Sequence, residues 1–426
     1  MWPVACPRLY FNNKTKQKSP FNPLCHLFFF SPPVLCVAGP PDTMDDSPIN
    51  RLPQDTLHQI FSSLPLRQIM ICRSVCKFFN QMLTSPSFVD LISTQPPLRF
   101  LALRPPHHHH HLHHQRQNSH VSSVPYLHVF DPDQNQWLRF SLSFLPFRSP
   151  HPVASASGLI YLWGESPTSI ESNRSLVVCN PLTRQFQVLP QLGSAWSRHG
   201  SVLVDSVNHR VMVLTELAAL YFSNTNKTNS WLTFSANLPS KPRSPILISD
   251  SVFALCDVGS PWRSQWKLFT CILSKLNNNY NNWVCLERQE WGDIFDIIKR
   301  PRLVRGKGNK LLMIGGLKSN FSLNTSCSTI LILRLDLERL EWEEAGRMPV
   351  DMYRSFQESS KLKVFGGGDR VCFSAKRMRK LALWDDCDGV VWRWIEGVPV
   401  GGDGLCRGFV FEAGRTALPW TGMFGY

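Results

Sequence analysis

The densest periodic signal in the chain runs from Leu52 to Phe79, LPQDTLHQIFSSLPLRQIMICRSVCKFF. Leu57, Ile60, Phe61 and Leu64 recur at i, i+3, i+4 and i+7, which predicts an amphipathic helix with Pro53 in its first turn. Pro65 ends that helix. A second short helical piece carries Ile69 and Ile71, and a third sets Val75, Phe78, Phe79 and Met82 on one side while Arg73, Lys77 and Gln81 point elsewhere. Three short helices in about 35 residues cannot close a core by themselves. Another surface must complete their apolar side, and a partner protein is the natural candidate.

From about Val124 the pattern changes to short β-branched and aromatic runs separated by Gly, Pro, Asn and Ser, the signature of strands and turns. A unit repeats in this region: VFDPDQNQW, VCNPLTRQF, RLDLERLEW and DDCDGVVW each place an Asp or Asn (Asp131, Asn180, Asp336, Asp386) six residues before an aromatic. Looser copies end at Trp231 and Trp283. The intervals between the six aromatics are 49, 45, 52, 59 and 50 residues. Each unit reads as one strand, an Asx turn, and a return strand opened by a large ring that packs between neighbouring units. Glycines follow a similar rhythm: Gly164, then Gly315 and Gly316, then Gly366 and Gly367. They predict positive φ or close backbone approach near the axis of a closed array. RFLAL (Arg99 to Leu103) is a further strand ahead of the first copy, placed either to pair with the final FVF (Phe409 to Phe411) or to open the first unit.

Composition adjusts this picture only in part. Charged residues are 18% and apolar residues 43% of the 426, as in a folded globular chain. The run Leu24 to Ala38 is broken by Pro32 and Pro33 and falls short of the roughly 20 residues a spanning helix needs, so no membrane segment is expected. Lys14, Lys16 and Lys18 ahead of that run imitate a signal peptide. Thirteen cysteines without a C-x-x-C pair favour the cytosol or nucleus instead. Residues 1 to 43 read as a disordered upstream extension before Met44. The net charge of +14 raises nucleic-acid binding, but the dense patches, IIKRPRLVRGKGNK and SAKRMRK, do not interleave aromatics and read as solvated loops. The HHHHHLHH run within residues 86 to 125 has the chemistry of a zinc or nickel ligand set, yet no Cys, Asp or Glu lies within it. Its Pro and Ser flanks read as a loop, and no metal or cofactor is expected. No G-x-S-x-G, H-E-x-x-H, Walker or G-x-G-x-x-G pattern appears, so the chain is expected not to be an enzyme.

The ordered set LP-x-D-x-L-x-x-I-F-x-x-LP followed by R-x-V-C-K resembles an F-box, the helical module with which F-box proteins dock on the Skp-type adaptor of a cullin-RING ubiquitin ligase. The resemblance assigns the adaptor-binding motif to Leu52, Pro53, Leu57, Ile60, Phe61, Leu64, Pro65, Arg73, Val75, Cys76, Lys77 and Phe79. Leu52, Pro53 and the exposed edge of the first helix are the implied contacts, with Leu57, Phe61 and Val75 mostly internal. Phe79 stands where many members carry Trp, keeping the ring without the indole donor. The period of about 50 residues and the phrase NPLTRQFQVLP resemble the kelch-repeat propellers found behind F-boxes in many plant proteins. The expected architecture is therefore mainly β, with the F-box module at 44–92, a Pro/His-rich linker at 93–125, and a six-bladed kelch-type propeller at 126–426 that strand 99–103 can join. The function so implied is that of a substrate receptor of an SCF ligase, working with cullin and RING subunits. An interaction propeller acting outside a ligase and a nucleic-acid-binding propeller are the alternatives.

Arginine supplies a second register. Arg148, Arg198, Arg243, Arg302, Arg354 and Arg407 lie between successive units at spacings of 50, 45, 59, 52 and 53 residues. On equivalent linkers they would ring one mouth of the propeller. Two readings fit: with Trp196 and Tyr353 they bind an acidic or phosphorylated protein substrate, or they hold blades together through backbone carbonyls.

Overall fold

The computed structural model describes residues 48–73, 75–92, 97–104, 125–165, 174–222, 230–277, 283–319, 327–357, 359, 361–399 and 403–414. The proposed upstream extension and the histidine run lie outside these residues. The chain divides after Leu52. Ahead of the division a 3-10 turn spans Pro48–Arg51, and Leu52 donates its N–H to the Ile49 carbonyl at 3.3 Å.

The second unit opens with four short helices. α1 (Gln54–Ser62) starts behind Pro53, and α2 (Leu66–Cys72) behind Pro65. In both cases a proline in an extended conformation marks the start, where its missing N–H costs nothing. α3 (Lys77–Met82) is capped by Cys76, whose Sγ accepts from the Phe79 N–H at 3.4 Å. α4 (Pro86–Leu91), which the hydrophobic pattern alone does not reveal, is capped by the Ser85 hydroxyl and carries Pro86 in its first turn. Phe88 on α4 is fully buried and closes a core of Leu57, Phe61, Ile69, Met82, Leu83 and Ile92.

The remaining described strands form six four-stranded antiparallel sheets, the blades of a propeller. Their innermost strands are Arg407–Ala413, Arg148–Ala156, Ser201–Asp205, Arg243–Ile248, Ile298–Arg305 and Leu362–Gly367, for blades one to six. Each packs beside the next, and the last beside the first. The ring closes within blade one, where the last described strand pairs with the strand Leu98–Arg104, Phe100 opposite Phe411 and Arg104 opposite Arg407. That closure locks the ring, and the inner strands remain as the short, protected edges of a propeller.

The six repeat aromatics all stand at the start of a fourth strand or immediately before it. Trp137 reaches from blade one to donate to the Glu396 carbonyl at 2.8 Å, and Trp231 donates to the Pro190 carbonyl at 2.8 Å. The preceding Asx turns have a common chemistry. Asp131 Oδ1 accepts the N–H groups of Asp133 and Gln134, Asn180 those of Leu182 and Thr183, and Asp336 those of Glu338 and Arg339. Asn135, Arg184 and Leu340 close these loops at φ of 51°, 60° and 59°. In blade six the loop is one residue longer, so Asp385, and not Asp386, ends the third strand and accepts the Cys387 N–H.

The glycine rhythm separates into two positions. Gly164 and Gly315 lie on second strands, where a Cβ would meet Phe147 Cγ at 2.7 Å and Ile298 Cγ2 at 2.3 Å. Gly366, in contrast, lies on the inner strand of blade six at φ +140°. Gly315-Gly316 and Gly366-Gly367 are 51 residues apart but therefore stand on a second and on an inner strand, not at equivalent places.

Candidate functional site

A propeller has two faces, and here they carry different chemistry. On one, the turn face, the first and third strands of each blade end. The helical module docks there. Arg67 of α2 donates through Nε to Asp131 Oδ2 at 2.7 Å, and its Nη2 stands 2.6 Å from the same oxygen. Asp131 is fully buried, with its other oxygen engaged in the Asx turn, so its charge is met by four donors. Met70 packs on the blade-one core, and Leu182 of blade two shares a small cavity with Leu66, Ile69 and Leu83. Much of the apolar surface that the short helices cannot cover themselves is thus covered by the propeller.

What the propeller leaves uncovered is specific. Ile60 on α1, Ile71 on α2, Val75 in the following turn and Phe78 on α3 are 47%, 55%, 66% and 42% exposed. By contrast Leu57 and Phe61 are buried, and Leu64 and Phe79 pack against the same small core, Phe79 edge-on to Phe61 with ring centroids 5.0 Å apart. Pro53, Pro65, Cys76 and Lys77 are exposed, Arg73 lines the cavity beneath α2, and Leu52 is exposed ahead of the division. Val75, expected inside, stands outside because the turn between α2 and α3 places it at the surface.

The opposite face is where the inner strands begin, fed by the linkers between blades. Arg148, Arg243 and Arg407 are the first residues of their strands, while Arg198 and Arg354 sit on the helices Ser194–His199 and Val350–Gln357 that precede the inner strands of blades three and six. Arg302 does not occupy the equivalent place. Blades two, four and five share a bulge of basic residue, residue at positive φ, and proline: Arg148-Ser149-Pro150, Arg243-Ser244-Pro245 and Lys299-Arg300-Pro301. Proline, lacking an N–H, suits a site where the ladder is interrupted. Lys299 is therefore the counterpart of Arg148 and Arg243, and Arg302 stands three residues further along its strand, opposite Ile314.

The arginines also differ in company. Arg354 is exposed and paired with Asp351 on its own helix at 2.9 Å. Arg243 lies over the Trp266 ring, 4.8 Å from its centroid. Tyr353 is buried in the core of blades five and six and gives its hydroxyl to the Cys327 carbonyl at 3.0 Å. Trp196 packs half-buried on the core of blades two and three. Both rings serve the blades rather than the mouth. Arg302 and Arg407 are different. Burial first, and then Arg407, lowers the Arg302 guanidinium, and Lys363 is brought down to about 8 by burial and by Arg407, Arg302 and Lys361. Arg104 is lowered to about 10 by burial and by Arg407. Arg104, Arg302, Lys363 and Arg407, from blades one, five and six, therefore share one field, with Lys361 at its margin.

The F-box domain model matches residues 49–91. A protein of Arabidopsis thaliana named SKP1-interacting partner 15 is 74% identical over 378 residues, covering 88% of this chain and 100% of that relative. The chain belongs to the F-box/kelch-type proteins. More distant relatives from the same plant include Protein UNUSUAL FLORAL ORGANS, 23% identical over 85% of this chain and 81% of its own length. An F-box/kelch-repeat protein is 25% identical over 74% of this chain and 73% of its own length.

Two members of the basic mouth of this F-box protein escape sequence reasoning. Arg104 ends the RFLALR strand and Lys363 is the second residue of a blade-six strand, so neither shares the arginine register. Only the pairing of RFLALR with the last described strand sets Arg104 beside Arg407. All ten described cysteines are free, and burial raises the thiols of Cys179, Cys271 and Cys372, which keeps them protonated and unreactive. Among the described residues no helix is long and apolar enough to cross a membrane, and no group of His, Cys, Asp and Glu could hold a metal ion.

Proposed function

We propose that this F-box protein is the substrate-recognition subunit of an SCF-type ubiquitin ligase in the cytosol or nucleus. The F-box takes the Skp-type adaptor, and through it cullin and RING subunits, while the propeller presents a protein target. One observation carries the reading: the F-box keeps Ile60, Ile71, Val75 and Phe78 exposed although its other apolar residues largely pack in its own core or, like Met70, against the propeller. Exposed apolar side chains of this kind mark protein interfaces. The name of its Arabidopsis relative, SKP1-interacting partner 15, points the same way. The basic mouth opens on the face away from the F-box, so adaptor and target would not compete for one surface. The arginines of the linker face are the residues through which an acidic or phosphorylated target would bind. Ubiquitin transfer belongs to the partner subunits, and the receptor acts by holding the target near them.

The test is adaptor capture by the full chain carrying Ile60→Asp and Val75→Asp. Both positions are exposed, so folding is expected to persist, and capture of adaptor and cullin should weaken at least roughly tenfold. Undiminished capture would sink the proposal, as would adaptor binding without any cullin.

A further inference from the structure

The geometry points to a binding site for a tetrahedral oxyanion, phosphate in class, at the linker-face mouth of the propeller, held by Arg104, Arg302, Lys363 and Arg407. It rests on the reading that this face receives the target, and it names what the face holds.

The strands bring the four together. Arg407 opens the inner strand of blade one and lies opposite Arg104 in the ladder. The inner strand of blade six packs against it so closely that a Cβ on Gly408 would meet Phe365 Cδ2 at 2.5 Å. Lys363 precedes Phe365 by two residues and so shares its side of the strand, one pleat nearer the mouth. Arg302 joins from blade five, three residues beyond the position of its blade's bulge cation.

Nothing among the described residues neutralises them. None of the four forms an ion pair there. Arg302 donates only to the carbonyl of its neighbour Pro301, at 3.3 Å. The Arg104 guanidinium reaches over the Phe409 ring to the Val153 carbonyl, and its Nε is buried with no acceptor. Two carboxylates of this face are engaged elsewhere: Asp351 pairs with Arg354, and Asp403 accepts the Leu405 N–H. Burial first, and then the charge of Arg407, lowers the affinities of Arg104, Arg302 and Lys363 for their protons. A chain that gathers four cations without a counter-charge carries a standing cost, which a bound anion removes.

The donor set selects the anion. Guanidinium forks favour planar or tetrahedral oxyanions with two oxygens in reach, and the lysine adds a point charge. A dianion offsets more of the repulsion than a single carboxylate. Three converging blades form a mouth rather than a track, which suits a compact anion better than the continuous backbone of a nucleic acid. The phosphate can come from a phosphorylated side chain of the target or from a free phosphorylated small molecule.

The experiment uses the full chain, wild type and Arg302→Gln/Lys363→Gln, with thermal shift and calorimetric titration at constant ionic strength. Inorganic phosphate should raise the wild-type melting temperature more than chloride does. The double variant, relieved of repulsion, should melt no lower than wild type without phosphate and bind it at least tenfold more weakly. Arg347→Gln, altered at an arginine that is already paired with Glu344 at 2.9 Å and belongs to no binding set, should keep the full phosphate response. No phosphate-specific shift in the wild type, or one that survives in the double variant, overturns the site. A phosphoserine peptide that binds where its serine twin does not, with the same dependence on Lys363, identifies a modified target as the source. Binding of inorganic phosphate alone identifies a free small molecule. The receptor reading fails separately, if wild-type protein isolated with the proteasome blocked brings down no target at all.

Discussion

The two faces of the propeller use the same residue type to opposite ends. On the turn face, cations are matched with carboxylates across blade boundaries. Arg210 of blade three donates to the buried Asp205 through Nε at 2.8 Å and lies 2.6 Å from Asp250 of blade four. Arg334 of blade five pairs with Asp386 of blade six, and Arg370 of blade six with Asp133 of blade one at 2.6 Å. Arg67 and Asp131 extend the scheme to the F-box. On the linker face Arg104, Arg302, Lys363 and Arg407 form no ion pair among the described residues, and Arg104 and Arg302 reach only backbone carbonyls. Charges that close a structure come with their partners already in place, whereas charges that await a ligand are held together at a cost. An arginine's role here is decided by whether a carboxylate was built beside it.

The largest expected effect tests that contrast directly. Arg210→Leu would leave Asp205 buried without its guanidinium and cost about 3 kcal/mol, read by urea denaturation. Arg302→Gln, at the mouth, should cost less than about 0.5 kcal/mol. Equal losses at the two sites would end the distinction. Asp205 adds a pH signature. Burial raises its pKa, but hydrogen bonds from Asn208 and Arg210 outweigh that and hold it below the ordinary 3.8. Its contribution is therefore present above that value and is lost as pH falls through the lower folded value.

Next in size is the seam between F-box and propeller. Asp131→Ala removes the acceptor of Arg67 and of two turn amides, and should destabilise the module by about 2 kcal/mol. Hydrogen exchange would localise the loss: amides of α1 and α2 should exchange faster, while the strands of blades three and four stay protected. Uniform loss of protection would show that module and propeller unfold as one.

Lys363→Gln should be mildly stabilising, raising the melting temperature by about 2 °C at pH 7 and low salt. Its ammonium has a folded pKa of about 8 against an ordinary 10.5. The folded value is the lower one, so the charge costs stability below about pH 8, and that cost is withdrawn between pH 8 and 10.5. The variant's advantage should shrink across that window, and an advantage that grew there would reverse the assignment. The smallest effect belongs to Arg354→Gln. Its exposed pair with Asp351 is worth under about 0.5 kcal/mol, so stability should barely move.

Much of the fold was written locally and could be read locally. The helices of the F-box follow from the i, i+3, i+4 spacing of Leu57, Ile60 and Phe61 and from two prolines that start helices. Four of the six blades follow from an Asx turn six or seven residues before a ring, because both halves of that device lie within one loop, and the other two follow from the looser copies ending at Trp231 and Trp283. α4 was missed because its signal is a cap, Ser85-Pro86, with a single apolar anchor, Phe88. The site was less legible. The six-fold arginine spacing finds the linker face but counts Arg302 at a register position that belongs to Lys299, since Lys299, Arg300 and Arg302 crowd one strand start and spacing does not choose among them.

The sequence by itself determined the F-box, the number of blades and the turns that join their strands, since each depends on residues a few positions apart. Only the tertiary structure decided which cations are paired. The carboxylates that meet Arg210, Arg334 and Arg370 across blade boundaries stand 40, 52 and 237 residues away. Likewise Arg104 and Arg407 become neighbours only when the last strand closes the ring. Electrostatic partnership depends on distance in space, and in a closed propeller that distance is fixed by contacts between blades rather than by order along the chain.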